Sequence, residues 1–426
     1  MPPIGKQIIL ELNEPAHIKL DNGIDLYTIN DGEIDITKLD IIIRAGTSAP
    51  IKKLVAECTL KMLHEGTTSM TSADIAQKIE YYGAAIDTSI SKDNACLTLY
   101  SVSEQLPNLI PLIKDMIVNP SFAQDELKNY VNRKREQFLL NNDKVRFKAA
   151  KEFNSLVFGP NSSYGRTSEL ADYDNLTRND IVEFFNCYYK PHNIYIILSG
   201  KISNKTISLI NKHFGTIIET KHQVNANTLN KTNKVLEKYK FTKKENALQS
   251  ALRIGRPVVD KLHPDYNSID VVNTILGGYF GSRLMSNLRE DKGFTYGIRS
   301  FLVVYKYGSY FTIVTEVNAA HTESALHEIR IELEKLCTEL IPNSELNLVK
   351  NYIYGTFLRS FDGPIARAER FRSAKDLDLN FRYYTNRLNS MMEQTPDQLL
   401  KVANKYFMYD DMIKVVVGPT EYKSED

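Results

Sequence analysis

Residues 177–200, TRNDIVEFFNCYYKPHNIYIILSG, can be aligned without a gap to a second segment of the same chain, residues 395–418, TPDQLLKVANKYFMYDDMIKVVVG. Each copy begins with a threonine, Thr177 or Thr395, in the position of a helix N-cap ahead of a short amphipathic stretch. A compact apolar run follows and ends at a glycine, which is the pattern of a buried strand. The alignment predicts a helix–strand unit that occurs twice in the chain.

The surroundings of the two copies repeat as well. Upstream of the first copy, a helical stretch ending in glycine (73–83) precedes a hairpin with the strands AAIDTSI and ACLTLYSV. Upstream of the second copy, a similar stretch (283–293) precedes TYGIRSFLVVY and GSYFTIVTEV. Strands that cluster as hairpins favour an α+β fold with antiparallel sheets. We therefore expect two homologous domains, each an antiparallel sheet with helices packed on it.

The predicted domains are residues 1–215 and 246–426. The segment between them, 216–245, is polar, rich in Lys, Asn and Thr, and contains neither Gly nor Pro. This composition is typical of an exposed interdomain linker, and we expect it to be the hinge.

Composition excludes several classes of partner. The 53 basic side chains balance 52 acidic ones, whereas a nucleic-acid or anionic-membrane binder normally has a basic excess. No window reaches the roughly 18 apolar residues of a membrane span. The N-terminus lacks the pattern of a signal peptide, which predicts a cytoplasmic location, or a periplasmic one if a leader was removed. The four cysteines form no C-x-x-C pair and are expected to be reduced: Cys58, Cys96, Cys187 and Cys337.

Two stretches resemble the insulinase/pitrilysin family of metallopeptidases, which includes mitochondrial processing peptidase. They are LVAECTLKMLHEGTTSMTSADIAQKIEYYGAAIDTSI (54–90) and NTILGGYFGSRLMSNLREDKGFTYGIRS (273–300). Together with the duplication, the resemblance covers essentially the whole chain. It implies two related α+β domains that form a clamshell around a chamber for short, unfolded peptides.

The zinc motif of the family is degenerate in this chain. Active members carry H-x-x-E-H on the helix before a Gly-Thr pair, where the two His hold Zn²⁺ and the Glu activates a water. Aligned on the Gly-Thr pair at 66–67, the motif falls on ECTLK. Glu57 and Lys61 replace the two His, and Leu60 replaces the Glu.

The third zinc ligand of the family is a Glu, which the resemblance places near Gln137 or Phe138. Glu136 is close, but one glutamate does not hold zinc usefully. His321 and His327 are six residues apart, the wrong spacing for one face of a helix. We expect no metal and no other cofactor in this chain, and zinc only in a partner.

The motif region also has the pattern of an ordinary amphipathic helix. Glu57 and Lys61 are four residues apart, which predicts an intrahelical ion pair worth about 0.2–0.5 kcal/mol. A solvated helix face and a selected replacement for zinc are both open interpretations. The opposite face is an apolar stripe: Ile51, Leu54, Val55, Cys58 and Met62.

Arg289 and Tyr296 are the positive functional signal. Gly293 is predicted to end a helix, which puts Arg289 in its last turn and Tyr296 at the start of the next strand. By the resemblance, such an Arg and Tyr reach across the chamber to the peptide near the metal, where both can bind a carbonyl oxygen or its developing oxyanion. An Arg favoured by the helix dipole beside an ordinary strand Tyr is the alternative.

These features predict a non-catalytic, peptide-binding subunit of a two-chain zinc endopeptidase. Its partners would be short unfolded peptides and a homologous subunit that carries H-x-x-E-H. A binding or scaffold protein with the peptidase fold but no proteolytic role is the main alternative, and a stand-alone zinc peptidase is the third. The sequence leaves open whether the chain also forms a homodimer.

Overall fold

The computed structural model of the protein describes residues 12–31, 35–218 and 237–421. The strands of the first half are β1 (Ala16–Lys19), β2 (Asp25–Asn30), β3 (Thr37–Ile43), β4 (Ala85–Ile90), β5 (Ala95–Ser101) and β6 (Ile194–Gly200). They form one sheet in the order β1-β2-β6-β3-β5-β4, antiparallel except for the parallel pair β2 and β6. Every residue of β3 and β6 is buried, so both faces of the sheet are covered.

The strands of the second half are β7 (Tyr239–Lys243), β8 (Gln249–Val258), β9 (Thr295–Tyr305), β10 (Gly308–Asn318) and β11 (Ile413–Gly418). Their order is β7-β11-β8-β10-β9, again antiparallel except for one pair, β7 and β11. The order and directions equal those of β2-β6-β3-β5-β4 in the first sheet. This confirms the predicted α+β fold and its internal duplication.

Part of the predicted linker over 216–245 belongs to the second sheet, because residues 239–243 form β7 beside β11. Residues 219–236 of the linker lie outside the described residues. The division into domains at 215 and 246 remains a prediction.

The helices of the first half are α1 (Val55–Met62), α2 (Ser72–Tyr81), α3 (Leu106–Val118), α4 (Gln124–Asn142), α5 (Val145–Phe158), α6 (Leu170–Asp174), α7 (Arg178–Tyr188) and α8 (Asn204–Phe214). Those of the second half are α9 (Tyr266–Asn273), α10 (Thr322–Thr338), α11 (Asn343–Arg359), α12 (Gly363–Lys375), α13 (Arg382–Met392) and α14 (Pro396–Tyr406). Two π-helical turns, Thr274–Gly278 and Met285–Asp291, follow α9. No helix within the described ranges is long and apolar enough to cross a membrane.

The two predicted N-caps are confirmed. The Thr177 side chain accepts a hydrogen bond from the backbone N–H of Asp180 at the start of α7, and Thr395 does the same with Gln398 at the start of α14. In both caps the second side chain also accepts from the threonine N–H, so each is a complete capping box. The repeated sequence therefore encodes the same local structure twice.

Each sheet is covered on one face by helices of its own half and on the other face by a helix of the opposite half. On the first sheet, Phe371 of α12 packs against Tyr27 of β2, with ring centres 4.8 Å apart. On the second sheet, Phe153 and Phe158 of α5 pack against Tyr310 of β10 at 5.8 and 5.6 Å. Each half thus contributes one helix, α5 or α12, to the cover of the other half's sheet. Neither half buries its own sheet completely.

Buried charge also joins the two halves. Lys38 and Asp40 of β3 form an ion pair at 2.9 Å with both side chains at most 1% exposed, and Lys38 also pairs with Glu369 of α12. Burial opposes the charge of Lys38, but Asp40 and Glu369 together outweigh burial and raise the lysine pKa. The exchanged helix is therefore held by polar contacts as well as apolar ones.

Candidate functional site

Helix α1, which carries the degenerate motif, begins later than its apolar stripe predicts. Leu54 adopts a left-handed backbone with φ of 70°, so the helix starts at Val55 and Ile51 lies before it. Such a conformation costs a non-glycine residue about 1–2 kcal/mol and turns the chain sharply into the helix. Cys58 and Met62 are buried on the predicted apolar face.

The three motif positions have different surroundings. Leu60 is completely buried in the core of the first half. The predicted pair between Glu57 and Lys61 is wrong, because each finds a partner outside the helix. Lys134 of α4 places its Nζ 2.9 Å from Glu57 Oε1. Lys61 Nζ donates to Thr88 of β4, to Oγ1 at 2.6 Å and to the carbonyl oxygen at 3.2 Å.

These residues do not fit a zinc ion. Gln137 and Phe138 line the same cavity as Glu57, so α4 does cross the motif where the resemblance expects the third ligand, whereas Glu136 is exposed. The groups gathered there are one carboxylate already paired with an ammonium, an amide, a phenyl ring and aliphatic carbon. Zinc prefers His, Cys and carboxylate ligands. Within the described ranges, no group of three or more His, Cys, Asp or Glu side chains could hold a metal.

His64 lies just beyond α1 and is electrically neutral at ordinary pH. Burial first, and then the Lys61 ammonium, lower the pKa of His64 to about 4. Its Nε2 is buried without a hydrogen-bond partner among the described residues. The histidine nearest the motif is therefore a packed side chain with an unfavourable protonated form.

A cavity of about 470 Å³ lies over the degenerate motif, and we call it the first cavity. Its wall includes Glu57 of α1, Tyr130 and Phe138 of α4, Phe147 of α5 and Arg166 of the following loop. Burial and then the Glu57 carboxylate raise the pKa of the Tyr130 hydroxyl, which therefore stays protonated. The first cavity combines aromatic rings with charged groups.

Tyr296 borders a different cavity, of about 690 Å³, which we call the second cavity, and Arg289 lies beside the wall residue Phe280. Tyr296 lies in β9, is 96% exposed and forms part of the cavity wall. Arg289 lies in the π-helical turn Met285–Asp291, and its guanidinium carbon is 4.7 Å from the ring centre of Phe280, another wall residue. Gly293, with φ of 66°, follows that turn as predicted.

The donors of both side chains are unused. Neither Arg289 nor Tyr296 makes a side-chain hydrogen bond or an ion pair with any described residue, and Phe280 is a cation–π neighbour of Arg289 only. The guanidinium and the phenol hydroxyl can therefore donate to a ligand without breaking a contact.

Helix α5 separates the two cavities. Phe147 and Lys151 on one side of α5 line the first cavity, whereas Arg146 and Ala149 line the second. The degenerate motif and the Arg–Tyr pair of one chain therefore do not meet in one pocket.

Two protein-family models match the chain. The model of the insulinase family, peptidase family M16, matches residues 38–153, and the model described as the peptidase M16 inactive domain matches residues 175–353. The two models describe parts of the same peptidases and together span most of the chain. The chain belongs to the insulinase family.

Two curated relatives cover most of the chain, one named as a zinc protease and one named as a subunit of a peptidase. An uncharacterised zinc protease, YmxG of Bacillus subtilis, is 23% identical over 82% of this chain and 85% of its own length. The mitochondrial-processing peptidase subunit beta of Bos taurus is 23% identical over 97% of this chain and 86% of its own length.

Solved structures confirm the fold. A peptidase M16 inactive domain from Pseudomonas fluorescens superposes with a TM-score of 0.86 at 22% identity, covering 96% of this chain and 99% of that one. A protease from Helicobacter pylori gives a TM-score of 0.87 at 19% identity, covering 96% and 100%. The α+β clamshell predicted from the sequence is thus a known insulinase-family fold.

Sequence reasoning missed the lysines that surround the motif. Lys134 belongs to α4, more than seventy residues after Glu57, and nothing in local spacing links the two. Phe280, which stacks on Arg289, was also missed. Its signal was present, because Phe280 is a large apolar residue between two glycines of the segment that carries the family resemblance.

Proposed function

We propose that this insulinase-family chain is a non-catalytic, peptide-binding subunit of a two-chain zinc endopeptidase. It would supply Arg289 and Tyr296 to a homologous partner that carries H-x-x-E-H. The observation that carries the proposal is the free donor pair, with a half-buried Arg289 beside the second cavity and an exposed Tyr296 in its wall, on the other side of α5 from the degenerate motif. The relative named as subunit beta of a processing peptidase supports a role as one chain of a complex.

The pair would act on the peptide carbonyl. Zinc and its activated water belong to the partner in this proposal, and this chain contributes hydrogen-bond donors and one permanent positive charge. The Arg289 guanidinium and the Tyr296 hydroxyl would donate to the carbonyl oxygen as negative charge develops on it. Loss of one such donor typically lowers the rate by about 10²–10³-fold.

The test is to combine the chain with a zinc-bearing homologue encoded beside it and to measure cleavage of unfolded peptides. Cleavage should need both chains. Arg289→Ala and Tyr296→Phe should each lower turnover by about 10²–10³-fold while the complex still forms. Asn287 is a poor control, since its amide donates to Glu328 and Glu332 at 2.9 Å.

Glu290→Ala is the matched control, because Glu290 is exposed on the same π-helical turn. It should change turnover by less than about threefold. Unchanged cleavage by Arg289→Ala in a complex shown to form would refute the proposal. The binding or scaffold alternative would then be favoured, since the first cavity offers a ligand site without any metal chemistry.

A further inference from the structure

The wall of the first cavity has a surplus of positive charge. Its carboxylate side chain is that of Glu57, whereas its cationic side chains are Lys53, Lys92, Lys134, Lys151 and Arg166. Two of these cations are neutralised. Lys134 pairs with Glu57 at 2.9 Å, and Lys53 pairs with Asp172 at 3.2 Å. Lys92, Lys151 and Arg166 form no ion pair with any residue that the structure describes.

Of the three unpaired cations, Lys92 is the one whose charged form is most disfavoured by its surroundings. Burial first, and then the Arg166 guanidinium, lower the pKa of Lys92 to about 8, although Asp93 acts in the opposite direction. Its ammonium makes no hydrogen bond with a described residue. A negative group in the cavity would offset both the lost hydration and the repulsion from Arg166.

The other two charges differ in what they offer a ligand. The Arg166 guanidinium donates to three backbone carbonyl oxygens, those of Thr47, Ala49 and Ile51, at 2.5–2.7 Å. It therefore contributes charge but few free donors. Lys151 lies over the ring of Phe138, 5.7 Å from its centre, and keeps its ammonium donors. Among the three unpaired cations, the donors available to an anion are thus the two lysine ammoniums.

The rest of the wall is largely aromatic. Tyr130, Phe138, Phe147 and Tyr173 line the cavity beside the ammoniums. The side-chain oxygen of Asn154, another wall residue, is buried without a hydrogen-bond partner among the described residues. A volume of about 470 Å³ lies in the range of small-ligand sites. The cavity suits a ligand with one charged end and an apolar or aromatic body.

We propose that the first cavity binds a carboxylate carried on an apolar or aromatic group, with Lys92 and Lys151 as its donors. A free aromatic acid and the C-terminal carboxylate of a peptide ending in Phe share this chemistry. The inference does not depend on a partner subunit, so it can fail or hold separately from the proposed function.

Calorimetric titration of the full chain tests the site. The probes are 3-phenylpropanoate and its uncharged amide, together with the peptide Ala-Ala-Phe with a free or an amidated C-terminus. Each acid should bind in a saturable way, and each amide should bind at least about tenfold more weakly. Tighter binding of the peptide acid than of 3-phenylpropanoate assigns the site to peptide ends, and the reverse assigns it to small acids.

Two sets of variants test the residues. The double variant Lys92→Met/Lys151→Met should weaken binding of the acids by about tenfold or more. Lys128→Met, at an exposed position of α4 outside the cavity wall, is the control and should leave the affinity unchanged. Glu57→Gln removes the wall carboxylate and frees Lys134, so it should tighten binding by a few-fold.

If the double lysine variant misfolds, the Glu57→Gln variant still tests the proposal, because it is expected to bind the acids more tightly than the wild type. Equal binding of acids and amides, or binding of the acids that neither set of variants alters, would overturn the proposal. The same holds if no probe binds to the folded chain.

Discussion

The degenerate motif and the Arg–Tyr pair lie on either side of α5 and differ in how their polar groups are used. In the motif, Glu57 is paired with Lys134, Lys61 donates to Thr88, and Leu60 is in the core. At the second cavity, Arg289 and Tyr296 keep all their side-chain donors and Tyr296 is almost fully exposed. The motif side chains are engaged in internal contacts of the fold, whereas those of the Arg–Tyr pair make no hydrogen bond or ion pair with a described residue. Changes at the first should therefore affect stability, and changes at the second should affect only chemistry.

The largest effect is expected from rebuilding the zinc motif with Glu57→His, Leu60→Glu and Lys61→His. A carboxylate at position 60 would replace a side chain with no exposed surface, so unfolding should become easier by about 3–5 kcal/mol. Zinc binding should be weak at best, since the third ligand is absent. Denaturant unfolding and metal analysis measure both, with Leu60→Met as the conservative control. One tightly held zinc per chain at unchanged stability would contradict this view of the first region.

The next effect concerns acid stability through His64. Its pKa is about 4 in the folded chain, against an ordinary value of about 6.5. The unfolded chain takes up this proton below pH 6.5, but the folded chain does so only near pH 4. Stability is therefore lost as the pH falls through that window, by about 2–3 kcal/mol from this group. Unfolding curves of the wild type and His64→Gln at pH 7 and pH 4.5 isolate the effect, and parallel losses in both proteins would argue against it.

A smaller effect is expected at the Glu57–Lys134 pair. Both side chains are 33% exposed, so solvent screens the pair and Lys134→Met should cost only about 0.5–1 kcal/mol. Adding Glu57→Gln should recover part of the loss, because the carboxylate left without a partner is then removed. A double-mutant cycle at low and high salt measures the coupling. A coupling energy that does not change with salt would contradict the view that solvent screens the pair.

The smallest effect on stability is expected at the second cavity. Tyr296→Phe and Arg289→Ala should each change the free energy of unfolding by no more than about 0.5 kcal/mol, because Tyr296 is exposed and the half-buried Arg289 has no hydrogen bond or ion pair to lose. Thermal unfolding of the isolated chain checks this. A loss comparable to that of the motif-rebuilding variant would assign the pair a structural role and remove the contrast between the regions.

The sequence predicted the repeated elements well because their signals are local. Thr177 and Thr395 cap helices, and Gly293 ends the turn that carries Arg289, as the residue types require. The prediction was wrong where residues distant in sequence are better partners than neighbours in the same helix. The i, i+4 spacing of Glu57 and Lys61 is real, but Lys134 and Thr88 are better partners.

Periodicity also identified apolar faces without showing what covers them. The apolar run of β6 indicates a buried strand, yet nothing in it specifies a helix from the other half of the chain. The same limit applies to the predicted linker. Its polar composition gives no indication that residues 239–243 pair with β11. Tertiary partners, which composition and spacing do not encode, decided each of these cases.

The exchanged helices have a consequence for how the chain is made. As it leaves the ribosome, the first sheet lacks its second cover until α12 is synthesised, which ends at Lys375. An apolar sheet face thus stays unprotected while residues 201–375 are made, a condition that promotes aggregation and chaperone binding. Closure of such long loops is slow, and the two halves should reach their native state together. A fragment ending at the linker should accordingly be insoluble when expressed alone, whereas co-expression of the two fragments should rescue both.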